Sequence, residues 1–148
     1  MPLVIDIADA VVAELAAASA GAFPQAFEAR RMALPAFELA DLTQLRVTVV
    51  PKAVEITGSS RSASQYDVQV DIGIQKKLSG NSTDLDTEVA LLCGLVEEIA
   101  DYLRRRPLAA APFAGWLRTA NEPIYAPDHL AEKRVFTSVL TLTYRTLR

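Results

Sequence analysis

His129, Cys93 and the aspartates Asp67 and Asp71 are the side chains whose types invite a reactive reading. A nucleophile–His–acid relay needs a carboxylate aimed at the imidazole. Asp128 is the immediate neighbour of His129, and sequence neighbours rarely have that geometry. In PDHLAEK the histidine reads as a solvated residue near a helix start. Cys93 lies between Leu92 and Gly94 in an apolar helical pattern. A cysteine in such surroundings is a small hydrophobe with a raised pKa and little nucleophilicity. Being the only cysteine, it allows neither an internal disulfide nor a cysteine-based metal site. Asp67 and Asp71 share one face of a strand, but four residues of extended chain separate them by about 13 Å, too far to share a proton or a metal alone. They read as a solvated sheet face, or as carboxylates offered to Arg or Lys of another subunit. The GSSRSAS run around Arg61 lacks the lysine and following helix of a phosphate-binding loop. Arg61 is either simply exposed at the loop tip or poised to reach a neighbour.

The elements that would position these residues are well marked. In QYDVQVDIGIQKKL, Tyr66, Val68, Val70, Ile72 and Ile74 alternate with Asp67, Gln69, Asp71, Gly73 and Gln75. A period of two gives one apolar and one polar face, the pattern of an antiparallel strand with one side on a core. Leu45–Val50 reads as a strand, Pro51–Lys52 as an interruption, and Ala53–Thr57 as a short extended piece. With the polar Gly58–Ser64 tip, these runs predict a long β-hairpin. Leu85, Val89, Leu92, Val96, Ile99 and Leu103 recur at helical spacing, so the chain predicts a helix over Leu85–Leu103. Ser82, Thr83 or Asp84 would cap it, Arg104–Arg106 suit its negative end, and Pro107 stops it. An amphipathic helix is expected from Ile5 or Asp6 to Ala20, with Gly21 as the stop. Strands are expected over Phe27–Leu34, Trp116–Thr119 and Val135–Leu147, and one helical turn over Asp128–Lys133. Phe113, Trp116 and Tyr125 fall in Pro-rich connections, where they would cover the core or mark an interface. Helices segregated from hairpin-linked strands predict an α+β fold. The expected architecture is a mixed, mainly antiparallel sheet with two main helices packed on it.

Bulk properties narrow the function classes. The 148 residues fit one domain, 1–148, with 51% hydrophobic and 22% charged residues. No apolar run reaches the roughly 18 residues that span a bilayer. MPLVIDIADAVVAEL lacks a basic segment and so makes a poor signal peptide. Synthesis in a reducing intracellular compartment is the simplest reading. The net charge is −3, and only Lys76–Lys77 and Arg104–Arg106 are locally basic. That pattern argues against tight nucleic-acid binding, which needs several phosphates neutralised together.

The order of elements, with RVTVVPKAVEITGSSRSASQYDVQVDIGIQKKL in the middle and VFTSVLTLTYRTLR near the end, resembles tail terminator and related neck proteins of long-tailed bacteriophages and prophages. The texture F-x-S-x-L-x-L-x-Y-R is carried here by Phe136, Ser138, Leu140, Leu142, Tyr144 and Arg145. The resemblance implies a virion structural protein, made in the host cytoplasm, that forms a six-fold ring on the finished tail tube. Such a ring caps the tube protein, meets the head-side connector or stopper protein, and lets DNA pass without gripping it. It implies no catalytic residue, cofactor or metal. The polar strand faces and the Gly58–Gln65 loop become the expected contact surfaces, with Arg61, Gln65, Asp67, Gln69 and Asp71 as candidate subunit or tail-tube interface residues. The alternatives are another neck protein (head-completion, stopper or minor tail subunit), a small enzyme or ligand-binding domain, or a cytoplasmic regulatory domain that dimerises through its sheet.

Overall fold

The computed structural model describes residues 2–18, 21–34, 41–78 and 84–148. Helix α1 covers Leu3–Ala16, strand β1 Ala29–Arg31, β2 Arg46–Gly58 and β3 Ser64–Lys77. Helix α2 covers Leu85–Leu103, β4 Gly115–Asn121, α3 Pro127–Lys133 and β5 Val135–Leu147. The five strands form one sheet in the order β1-β2-β3-β5-β4. Only β1 and β2 are parallel; the other three pairings are antiparallel. The fold is therefore α+β, with a mixed and mainly antiparallel sheet.

Alternation in sequence becomes two distinct sheet faces. Val68, Val70, Ile72 and Ile74 of β3 are fully buried, as are Phe136, Leu140, Leu142 and Tyr144 of β5. Helix α1 packs against β1, β2 and β3, and α2 packs against β5. Their stripes, Ile7, Val11 and Leu15 on α1 with Leu92, Leu95, Val96 and Ile99 on α2, join those strand residues in one core. Each such side chain removed from water contributes about 1.5–3 kcal/mol before entropy is counted. Residues Gln65, Asp67, Gln69, Asp71 and Gln75 occupy the other face. Gly73 also lies there, and its neighbour Thr48 comes so close that an added Cβ would meet Thr48 Oγ1 at 3.0 Å.

Several boundaries differ from the sequence expectation; β4, for example, runs Gly115–Asn121 rather than Trp116–Thr119. Helix α1 starts at Leu3 because Pro2, with φ −61°, stands at its N-cap, and it ends at Ala16 rather than Ala20. Residues 19–20 lie outside the described chain. β1 is only Ala29–Arg31, since Phe23 and Phe27 turn to pack on the core, with ring centroids 5.1 Å apart. β2 does not break at Pro51–Lys52. It absorbs an extra residue as a bulge between Pro51 and Ala53 and continues to Gly58. α2 has the expected bounds, yet Asp84 at its N-cap makes no side-chain capping bond. Ser82, Thr83 and Pro35 lie outside the described residues.

A second tie joins the two helices. The Tyr102 hydroxyl donates to the Glu14 carbonyl at 3.1 Å, and the Ala109 N–H donates to Glu14 Oε2 at 3.3 Å. Arg106 Nη1 stands 3.6 Å from Glu14 Oε1, while its guanidinium stacks 3.8 Å from the Tyr102 ring centroid. Arg106 Nε also donates to the Tyr102 carbonyl at 2.9 Å, so the arginine does satisfy the end of α2.

Candidate functional site

The open sheet face is built from cross-strand rows, each reading across the sheet in register. One row holds Glu55, Asp67, Arg145 and Gly115, and the next Ala53, Gln69, Thr143 and Arg118. Opposite charges directly across strands stabilise a sheet locally. Asp67 accepts two bonds from Arg145, from Nε at 2.8 Å and Nη2 at 3.1 Å. Those bonds, aided by the charges of Arg145 and Arg118, hold the Asp67 carboxyl below its usual range despite some desolvation. Asp71 accepts from the Thr141 hydroxyl at 2.6 Å and lies 3.7 Å from Lys52 Nζ. Each aspartate thus has its own partners within the chain, and the two are not brought together. Gln65 and Gln69 lie half-buried on the same face, and Arg61 stands exposed at the hairpin tip. That tip is closed by Ser59 and Ser60 N–H groups donating to the Ala63 carbonyl, both at 3.1 Å.

His129 sits on α3 with Nδ1 3.0 Å from the Thr137 hydroxyl, which also meets Gln75 Nε2 at 3.4 Å. Neither Cys93 nor the two aspartates join this group. Cys93 is half-buried against the core, and burial pushes its thiol up. Among the described residues no three His, Cys, Asp or Glu side chains gather as metal ligands. An open cleft of about 590 Å³ runs beside β1 and the start of β2, lined by Phe27, Arg30, Arg46, Thr48 and Lys76. It contains neither the histidine nor the cysteine. Among the described residues no helix is long and apolar enough to cross a membrane.

What the sequence did not single out is the outer half of the hairpin. From Lys52 to Gly58, every residue of β2 is exposed. Val54 and Ile56 pair with Val68 and Tyr66, so they point to the helix-covered side of the sheet. Among the described residues no helix covers them, and they are 41% and 57% exposed. The alternation of Val54, Glu55 and Ile56 was a signal for this two-faced extension, obscured by the expected break at Pro51.

No protein-family model and no curated protein matches the chain. The surface features and the element order must carry the functional reading.

Proposed function

We propose that this chain is a virion structural protein, a tail terminator that acts by assembling as a ring on the tail tube and presenting a docking face to the head connector. The single observation that supports it best is the projecting hairpin, whose outer strand carries exposed apolar side chains beyond the helical layer. Such a strand is a liability for a monomer and an asset for an assembly subunit. The element order and the β5 texture supply the link to neck proteins. The reading takes the protein to act without catalysis: His129, Cys93, Asp67 and Asp71 stand apart, and the aspartates are neutralised by neighbours. A net charge of −3 suits a lumen through which DNA slides without being held.

Mixing purified protein with tail tubes of the cognate phage tests the proposal by negative-stain imaging and tube-length measurement. Rings at one tube end with arrested growth are the expected outcome. Rings on filled heads instead would favour a head-completion or stopper protein. Tubes of unchanged length bearing no added density would overturn the terminator reading.

A further inference from the structure

We propose that neighbouring copies join edge to edge, Lys52–Glu55 of β2 lying antiparallel along Gly115–Arg118 of β4 of the next copy, with Val54 beside Trp116 at the mouth of the groove between α2 and β4. This rests on the ring reading and names its subunit joint.

Among the described residues both strands have an unpaired edge. β1 pairs only with Val47–Val49, and its last backbone bond runs from the Met32 N–H to the Val49 carbonyl at 3.0 Å. Past that point, among the described residues, no strand pairs with the outer side of β2. Pro51, which has no N–H to donate, suits such an edge. On the far side of the sheet β4 is the last strand, so its outer backbone groups are also unpaired within the sheet.

The two edges match in level, direction and face. Reading across the sheet, Val50 is level with Ala120, Ala53 with Arg118, Val54 with Trp116 and Glu55 with Gly115. A copy displaced sideways therefore brings Lys52–Glu55 beside Gly115–Arg118 without sliding along the strands, while Ile56–Gly58 run on past the start of β4. β2, β3, β5 and β4 are successively antiparallel, so β2 and β4 run in opposite directions. A sideways copy keeps that direction, and the new pair forms an antiparallel ladder. Val54 points to the helix side, level with Trp116, which with Ala100, Arg104, Thr119 and Leu140 lines a groove of about 360 Å³ beside β4, and Pro51 is level with Thr119 at its middle.

Charge complements the fit. Glu55 and Arg118 both lie on the open face, at opposite edges of the sheet, and both are exposed. Among the described residues neither belongs to an ion pair. Within its own chain Glu55 faces another carboxylate, Asp67. Across the joint it becomes the diagonal neighbour of Arg118, a separation long side chains bridge. Because the joint uses two different edges, each copy passes the contact on, and the chain of contacts closes into a ring when the rotation permits. A second copy is thus the occupant favoured over a strand of the tube protein, because β4 of this chain itself supplies an edge matched in level, direction and face.

The test uses full-length protein carrying Cys93→Ala. Ala53→Cys copies are mixed with Ala120→Cys copies, with and without tail tubes, and treated with a short bis-maleimide. The expected result is a covalent dimer in the mixture and none in either variant alone. Cross-linking of Ala53→Cys copies to one another, or to the tube protein, would overturn the joint. Rings visible by microscopy with no cross-link would also overturn it while leaving the ring reading standing. Absence of both rings and cross-links would remove both. Charge reversal supplies a second reading: Glu55→Arg and Arg118→Glu should each raise the concentration needed for assembly about tenfold. The double reversal should restore it, which a folding defect would not do. Two singles without effect would overturn the charge pairing.

Discussion

Glu14 offers the sharpest test of how the helical layer is held. Its side chain is 12% exposed and serves two donors, the Ala109 N–H and Arg106. Glu14→Ala removes both bonds but leaves the Tyr102 hydroxyl on the backbone carbonyl. A charge-assisted hydrogen bond is worth about 1.5–3 kcal/mol when short, and the 3.3 Å contact to Ala109 belongs at or below the bottom of that range. The Arg106 side chain is 40% exposed and can rehydrate, so its ion pair adds only about 0.5 kcal/mol. A total near 1.5 kcal/mol should lower Tm by about 3–6 °C for a chain of this size. Thermal unfolding followed by circular dichroism at fixed protein concentration measures it. Arg106→Ala should cost more than its share of the ion pair, because it also loses the stacking on Tyr102. The double variant should fall short of additivity by about 0.5 kcal/mol. Full additivity, or an unchanged Tm in Glu14→Ala, would refute the claim that this carboxylate ties α1 to the end of α2.

Three further outcomes are expected. The Tyr144 hydroxyl is buried with no protein partner among the described residues, and burial followed by the Glu14 charge pushes the phenol up. Tyr144→Phe should therefore keep or gain about 1 kcal/mol in urea unfolding, and a loss of that size would mean the hydroxyl is bonded after all. Asp67 has a folded pKa below its ordinary 3.8, chiefly through the Arg145 bonds. Its stabilisation is present above that value and is lost as pH falls through the folded one. Acid unfolding of Arg145→Ala should accordingly show a shallower pH dependence below pH 3.8 than the parent, and identical profiles would count against the pair. Cys93, with its thiol pushed up by burial, should react with iodoacetamide more slowly at pH 8 than the same protein in urea. Equal rates would place it outside the core stripe.

Elements with strong periodicity were legible from sequence. Val135–Leu147 and Leu85–Leu103 have the bounds their patterns dictate, and Gln65–Leu78 is displaced by a single residue. Local patterns say less where a turn or pairing partner decides. Pro51 reads as a break because proline cannot donate to a ladder, but on an edge that N–H is not required, and the bulge absorbs the misfit. β1 is short because two phenylalanines gain more by packing on the core than by extending a strand. The surface was half legible. Asp67 and Asp71 were placed on one polar face, but their partners Arg145, Thr141 and Lys52 come from other strands and appear only once register is known. Val54 and Ile56 look like core residues until the extent of helical cover is seen, and Glu14 gives no local sign of its contacts almost 90 positions away.

The strand order also sets a timetable. β3 pairs with β2 across a short tip, but its other edge waits for β5, with Gln65 meeting Leu147 and Lys77 meeting Val135. A hairpin closes in microseconds, whereas pairings of such sequence separation belong to the millisecond-to-second range. In the interval β3 leaves its backbone groups unpaired along one edge beside the apolar row Val68, Val70, Ile72 and Ile74, the kind of segment that recruits strands from other chains. A cell making many copies at once would meet its greatest risk of off-pathway association before β5 docks, and a lower expression level or a strand-shielding chaperone should raise the yield of folded subunit.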